Sequence, residues 1–386
     1  MTAIDSRRGR IALMVAHCAG MVDLVALPVW VGTLMGYYRF DPQQAGGLAT
    51  LFLAAAVLAS VALAPLFGRL PRRAIAAAGF GMAALAFVAA SGLQDFAGMA
   101  VLHALAGLSA GAALSVTHGT IARGAHPHRL FAIVGIALGV FAVAFFAVVP
   151  PLLAALGGTV LFQAFATVMA VAAVVALLAF PQVDGAEPEA AAPAAGAAPM
   201  PRAVWFGIVG IACMGLVQAM TFAFLERVGN VRGFGTAAVT GVLVALSIVN
   251  LFPAALAAVL EKRWSARSVL LTGPVLQALL VALIMQASVF APYAAAASVF
   301  AAVMIFTHTF AFGLLASLEP SGRALAATPA MIMTGAAIGP ILGGTLVKFF
   351  GYGSLALAAA AIAAMAVFCF SRLPAQAPAP ARSAIA

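Results

Sequence analysis

From Ile11 to Met35 the chain reads IALMVAHCAGMVDLVALPVWVGTLM. A hydrocarbon layer about 30 Å thick is crossed by about 20 helical residues rising about 1.5 Å each, so this run is long enough to span one. Yet it carries Asp23 close to its middle, with His17 on the same stretch. An ionisable group at that depth costs roughly 2.5 to 3.5 kcal/mol on insertion, and it marks a functional position by default. Every other Asp and Glu of the chain can be placed in a loop or at a helix end, which leaves Asp23 as the carboxylate carried into lipid depth.

Eleven further apolar runs follow, so that twelve spans are expected at about 11–36, 46–68, 74–92, 97–120, 130–153, 159–180, 204–226, 236–260, 268–290, 291–316, 324–347 and 353–372. Runs of this length show no alternation, whereas the strands of a membrane barrel would need it. With 65% hydrophobic residues, 8% charged residues and a mean hydropathy of +1.15, a water-soluble fold is excluded. The net charge of +9 does not read as a nucleic-acid surface, because the basic residues are scattered through short loops. Cys18, Cys213 and Cys369 lie inside apolar runs and imply neither a disulfide framework nor a zinc cluster. The first apolar run is too long for a cleavable leader and is expected to stay as an anchor.

Placing the N-terminus in the cytoplasm puts Arg7, Arg8, Arg10, Arg69, Arg72, Arg73, Arg123, Arg129, Arg202, Lys262, Arg263, Arg267, Arg323, Arg372 and Arg382 on that side. Arg39, Arg227, Arg232 and Lys348 fall on the other, a division of 15 to 4 among the 19 Lys and Arg. The bias predicts cytoplasmic ends and an even number of spans. The stretch 181–203, rich in Pro and Ala, reads as a flexible cytoplasmic linker. It separates a six-helix half at 11–180 from another at 204–373, with tails at 1–10 and 374–386. An offset of 193 or 194 carries Arg39 to Arg232, Arg69 to Lys262 and Arg129 to Arg323. The recurrence predicts two related halves with a site at their interface.

Between spans two and three lies Ala64-Pro-Leu-Phe-Gly-Arg-Leu-Pro-Arg-Arg73. This resembles the signature loop of the major facilitator superfamily (MFS), Gly-x-Leu-Ala-Asp-Arg-x-Gly-Arg-Arg, with Leu66, Arg69, Arg72 and Arg73 in matching places. Ala64 and Pro71 replace its glycines and Gly68 its aspartate, while the equivalent loop of the second half offers Glu261 at the acidic position. The resemblance implies a charged latch at the cytoplasmic gate made by these residues. In span eleven, Gly335-Ala-Ala-Ile-Gly-Pro-Ile-Leu-Gly-Gly344 resembles the antiporter motif of the same superfamily, placed there in span five. Gly335, Gly339, Pro340, Gly343 and Gly344 are read first as a helix-packing motif, since small residues let helices approach closely. The expected fold is therefore an all-α polytopic membrane protein, with twelve transmembrane helices in two pseudo-symmetric halves, seated in the inner membrane.

The ionisable residues within spans are His17 and Asp23 in span one, His103 and His118 in span four, and His308 in span ten. In the superfamily fold the first helix of each three-helix repeat lines the central cavity, which implies that all five residues face it. Gln218 and Thr221 supply polar groups on span seven, and Glu226 is expected at its outer mouth. Asp23, with His17, is the expected proton-coupling site. His103, His118, Gln218, Thr221, Glu226 and His308 are the expected substrate-binding groups, because histidines facing a cavity can bind anionic or hydrogen-bonding solutes.

Two other patterns compete. Gly107-Leu-Ser-Ala-Gly111 spells a nucleophile elbow near His118, but that motif needs a strand, a turn and a helix, so no enzyme is expected. His17 and Met21, Met99 and His103, and Met304 and His308 are each four residues apart, and soft thioether and imidazole ligands suit copper. A copper transporter is the alternative reading, and a membrane sensor a distant one. The favoured reading is a monomeric, proton-coupled secondary transporter of a small organic solute, with no cofactor and no nucleic-acid partner.

Overall fold

The computed structural model describes residues 3–63, 66–67, 70–181, 200–319 and 323–374. Arg69, most of the expected linker and all but the first residue of the C-terminal tail lie outside them. Fourteen helices are described: α1 (Arg7–Gly20), α2 (Val22–Gly36), α3 (Pro42–Leu63), α4 (Arg72–Ser91), α5 (Phe96–Ile121), α6 (Pro127–Leu156), α7 (Thr159–Ala179), α8 (Arg202–Val231), α9 (Thr236–Val249), α10 (Pro253–Leu260), α11 (Ala266–Gln286), α12 (Phe290–Leu318), α13 (Arg323–Phe350) and α14 (Ser354–Ser371). They make twelve candidate membrane spans, because α1 and α2 form one broken span and α9 and α10 another.

Local chemistry sets the ends of these helices. Ser6 caps α1 by accepting from the Gly9 amide at 3.0 Å, Asp95 caps α5 through the Gly98 amide at 2.6 Å, and Ser265 caps α11 through the Ser268 amide at 3.1 Å. Prolines open α3, α6 and α10, where the missing N–H would have had no helical partner. Gly157, at a φ of 93°, ends α6 in a backbone region closed to side chains. Large apolar side chains such as Leu85, Val101, Leu178 and Val259 remain exposed, as expected where lipid is the solvent.

The two halves pack alike. In the first, α4 lies against α5 and α7; in the second, α11 lies against α12 and α14. Arg73 at the start of α4 donates from Nε to the Leu177 carbonyl near the end of α7 at 2.7 Å. Arg267 at the start of α11 likewise donates to the Leu373 carbonyl just beyond α14 at 2.7 Å. A cation thus satisfies the free carbonyls of a helix end in each half, at positions 194 apart. Arg73 is used within its own half.

The halves meet mainly where α3 crosses α13, α2 crosses α8 and α6 crosses α9. A Cβ on Gly46 would fall on the Pro340 carbonyl, and one on Gly344 on the Pro42 carbonyl. Gly335, Gly339 and Gly343, spaced by four, turn to α8, where added Cβ atoms would meet the backbone at Ala212, Met220 and Ala219. Thr50 enters the α13 ladder. Its hydroxyl donates to the Ala337 carbonyl at 2.7 Å and accepts from the Ile341 N–H at 3.1 Å, the two ends of one helical rung. Farther along the seam, Gln43 donates to Thr345 at 3.3 Å, and Lys348 donates to Asp41 at 2.9 Å and Gln43 at 3.2 Å.

All these clasps lie at the end of the bundle away from the described termini. Toward the termini, α1 packs on α5, α6 and α7 of its own half and α10 on α12 of its own, so that among the described residues the halves part in that direction.

Two outcomes check this seam. Gly344→Val forces a side chain against the α3 backbone and should cost about 1 to 3 kcal/mol of stability. It should also raise maleimide labelling of a cysteine placed at Thr50, read by thermal unfolding and labelling rate. For Asp41, partial burial acts upward, but the Gln44 amide and the Lys348 ammonium outweigh it and hold the carboxyl below its ordinary range. The clasp is therefore complete at neutral pH and lost as the pH falls through that lowered value. Asp41→Asn should remove the acid-dependent part of that labelling while changing stability by less than about 1 kcal/mol, because the pair is exposed.

Candidate functional site

A cavity of about 300 Å³ lies between the halves, where both broken spans have their breaks. The first break is at Met21, whose φ of −112° and ψ of 16° end α1 and let α2 start at Val22. Asp23 then falls in the first turn of α2, where backbone N–H groups lack helical acceptors and the helix dipole favours negative charge. That is how the fold accommodates a carboxylate at this depth. Asp23 is 6% exposed and lines the cavity, and its Oδ1 has no hydrogen-bond partner.

The second break spans Asn250 to Phe252, ahead of Pro253. Asn250 caps α9, lines the cavity and has a buried Oδ1 without a partner. One turn earlier Ser247, also lining it, donates to the Leu243 carbonyl at 2.9 Å.

His308 on α12 faces the same space. Its Nδ1 lies 2.9 Å from the Met304 carbonyl. A carbonyl only accepts, so Nδ1 carries the proton and Nε2 is left as an acceptor. Gln218 on α8 completes the polar lining. Its Oε1 accepts from Gln277 on α11 at 3.3 Å, and Gln277 also donates to the Met214 carbonyl at 3.2 Å. With its oxygen engaged, Gln218 presents its amide donors. The rest of the wall is apolar, including Leu27, Leu53, Leu138, Phe146, Phe222 and Met304.

Of the expected site residues, Asp23, Gln218 and His308 share this cavity. The others do not. Span four was expected to line it, but α5 is held against α3, with Gly107 and Gly111 meeting the α3 backbone at Phe52 and Ala56. His103 is fully buried, stacked on Trp30 at 5.4 Å between ring centroids. Its Nδ1 donates to the Met99 carbonyl at 2.7 Å and its Nε2 accepts from the Trp30 indole at 3.3 Å, so both nitrogens are satisfied. His17 and His118 pair with each other, Nδ1 to Nε2 at 3.0 Å, between α1 and α5. For His103 and His308, the four-residue spacing to methionine is realised as a bond to that residue's carbonyl.

Thr221 is fully buried outside the cavity. Span seven was expected to end at 226, but α8 continues to Val231, so Glu226 lies within it rather than at a mouth. There its carboxylate meets α2 at Gly32 and accepts from Asn230. Glu261 is exposed at the end of α10, and Arg72 lies over the Phe67 ring at 4.6 Å. Ser247, Asn250 and Gln277 were missed, although the Asn250-Leu-Phe-Pro253 stretch carried a signal in its proline, which cannot continue a hydrogen-bonded helix. Among the described residues, no group of three or more His, Cys, Asp or Glu is placed to hold a metal ion.

Residues 12–321 match the family model of the Major Facilitator Superfamily. Two solved structures titled as the nucleoside transporter NupG, one of them a mutant, resemble the chain with TM-scores of 0.73 and 0.72 at 15% identity. They cover 95% and 94% of this chain and 98% of their own. The likeness is one of fold. No curated protein matches the sequence.

The two histidine environments predict different outcomes. His103→Leu leaves the Trp30 N–H buried without an acceptor and should cost about 1 to 3 kcal/mol of stability. His308→Leu, beside open space, should stay within about 1 kcal/mol of the parent. Thermal unfolding of the two purified variants decides it.

Proposed function

The chain belongs to the major facilitator superfamily, and from that premise we propose that it is a proton-coupled secondary transporter of a small organic solute. The observation that carries the reading is Asp23, a buried carboxylate with an unpartnered oxygen, lining a cavity where the two halves meet. A group so placed exchanges a proton with whichever side the cavity faces, while a fixed ion pair would not. Rocking of the halves about the cavity then gives alternating access.

The Lys and Arg bias supports placing both termini in the cytoplasm of a cell with the protein in its inner membrane. On that assignment the seam of α3, α13 and α8 is the outer gate and the parted end opens inward. Arg72, Arg73 and Glu261 are read as parts of a cytoplasmic latch together with Arg69, which lies outside the described residues, and 181–203 as the linker between the two halves. The protein works as a monomer, since each chain carries both halves of its own cavity. The fold relationship to NupG supports transport.

In proteoliposomes, Asp23→Asn should abolish uptake or efflux driven by a proton gradient while solute-for-solute exchange persists at raised solute concentration. An unchanged driven rate would remove Asp23 from the coupling role.

A further inference from the structure

We infer that the cavity takes a protonated monoamine with an apolar body, its ammonium group held by Asp23, Asn250 and His308. The inference rests on the transport reading above and names the class of solute.

Each polar group lining the cavity has a definite role. Asp23 Oδ1 and Asn250 Oδ1 are buried acceptors without donors. His308 Nε2 is a third acceptor, because Nδ1 is engaged by the Met304 carbonyl. Ser247 spends its proton on the Leu243 carbonyl. The Gln218 and Asn250 amides offer the donors, and among the described residues no Lys or Arg lines the cavity. The site is therefore rich in acceptors, carries one carboxylate and is otherwise apolar.

The classes of solute separate on that inventory. An organic anion would face a carboxylate with no cation to offset it. A sugar or nucleoside brings several hydroxyl groups, each needing partners on both donor and acceptor sides, and most of this wall has neither. A neutral hydrocarbon would leave the unmet acceptors unmet. An ammonium has three donors and no acceptor, and its charge makes each bond to a carboxylate a strong one. A cavity near 300 Å³ is at the small end for ligand sites and suits one ring with a short chain. The carboxylate is met either by a proton or by the ammonium, which links solute binding to proton release.

The test is equilibrium binding to the purified full chain in detergent. The probes are phenethylamine, its N-acetyl derivative, phenylpropionate, phenyltrimethylammonium and uridine. Phenethylamine should bind at least about tenfold more tightly than the neutral, anionic and nucleoside probes, a difference of one charge-assisted hydrogen bond or more. It should also exceed the quaternary ion, which has the charge but no N–H donors. Asp23→Asn should lose at least about tenfold of that affinity, and Asn250→Leu a smaller share.

Tightest binding of uridine or phenylpropionate, or full amine affinity in a monodisperse Asp23→Asn protein, overturns the inference. If Asp23→Asn is not monodisperse, unchanged affinity in both Asn250→Leu and His308→Leu overturns it. Gradient-driven flux of another solute without amine binding would sink the amine and leave the transport reading standing. Amine binding that depends on Asp23 without driven flux of any probe would do the reverse.

Discussion

A carboxylate brought into an apolar bundle must be met by something, and in this chain it is met by a helix that stops and starts again. Breaking the first span at Met21 costs helical hydrogen bonds, but it supplies Asp23 with the positive end of α2. The second break, at Asn250, faces the same space. In a membrane, irregular backbone is tolerated only where it lines a cavity or is buried in protein. The two breaks and the cavity therefore account for one another. The polar groups stand at midspan because the helices are interrupted there, and the interruptions persist because polar groups and open volume lie beside them.

The seam at the other end is built on different physics. Lipid offers no hydrophobic drive for helix association, so close packing and interhelical hydrogen bonds must hold the halves together. Gly46 of α3 and Gly344 of α13 let the two halves approach to backbone contact, and Thr50 bonds across the halves to both ends of one α13 rung. Pro340 sits beside that rung, where its ring disturbs the helix and makes a bridging hydroxyl useful.

The fold was legible because the sequence signal for it is long and repeated. Twelve apolar runs located twelve spans to within about five residues, while Arg73 and Arg267, 194 apart and not paired in the sequence reading, clamp equivalent helix ends. The cavity was legible only in part. Asp23, Gln218 and His308 could be picked out as polar residues in apolar spans, yet the same criterion selected His103, which packing turned toward Trp30. A lone histidine carries no mark of which neighbour it faces, since a helix rotation of some tens of degrees decides it. Asn250 was hidden for another reason. Its span was read as continuous, and an asparagine at the end of a helix draws no attention unless the helix is seen to end there.

Of the residues expected to face the cavity, His103 lies in the first half's dense aromatic core, where Trp30, Phe52, Phe87, Phe162 and Phe165 meet edge to face and stacked. Those found in the cavity lie on α2, α8, α9 and α12, at or near the breaks. With His103 bonded at both nitrogens inside that core, the first half is built to move as one body. Asp23 and Asn250, each with a buried oxygen left unmet, stand beside the two breaks. Toward the parted end, α1 and α10 are each joined to the cavity by one of the two breaks. A movement of either segment therefore passes through the backbone beside Asp23 or Asn250, the carboxylate and the amide proposed to meet the solute.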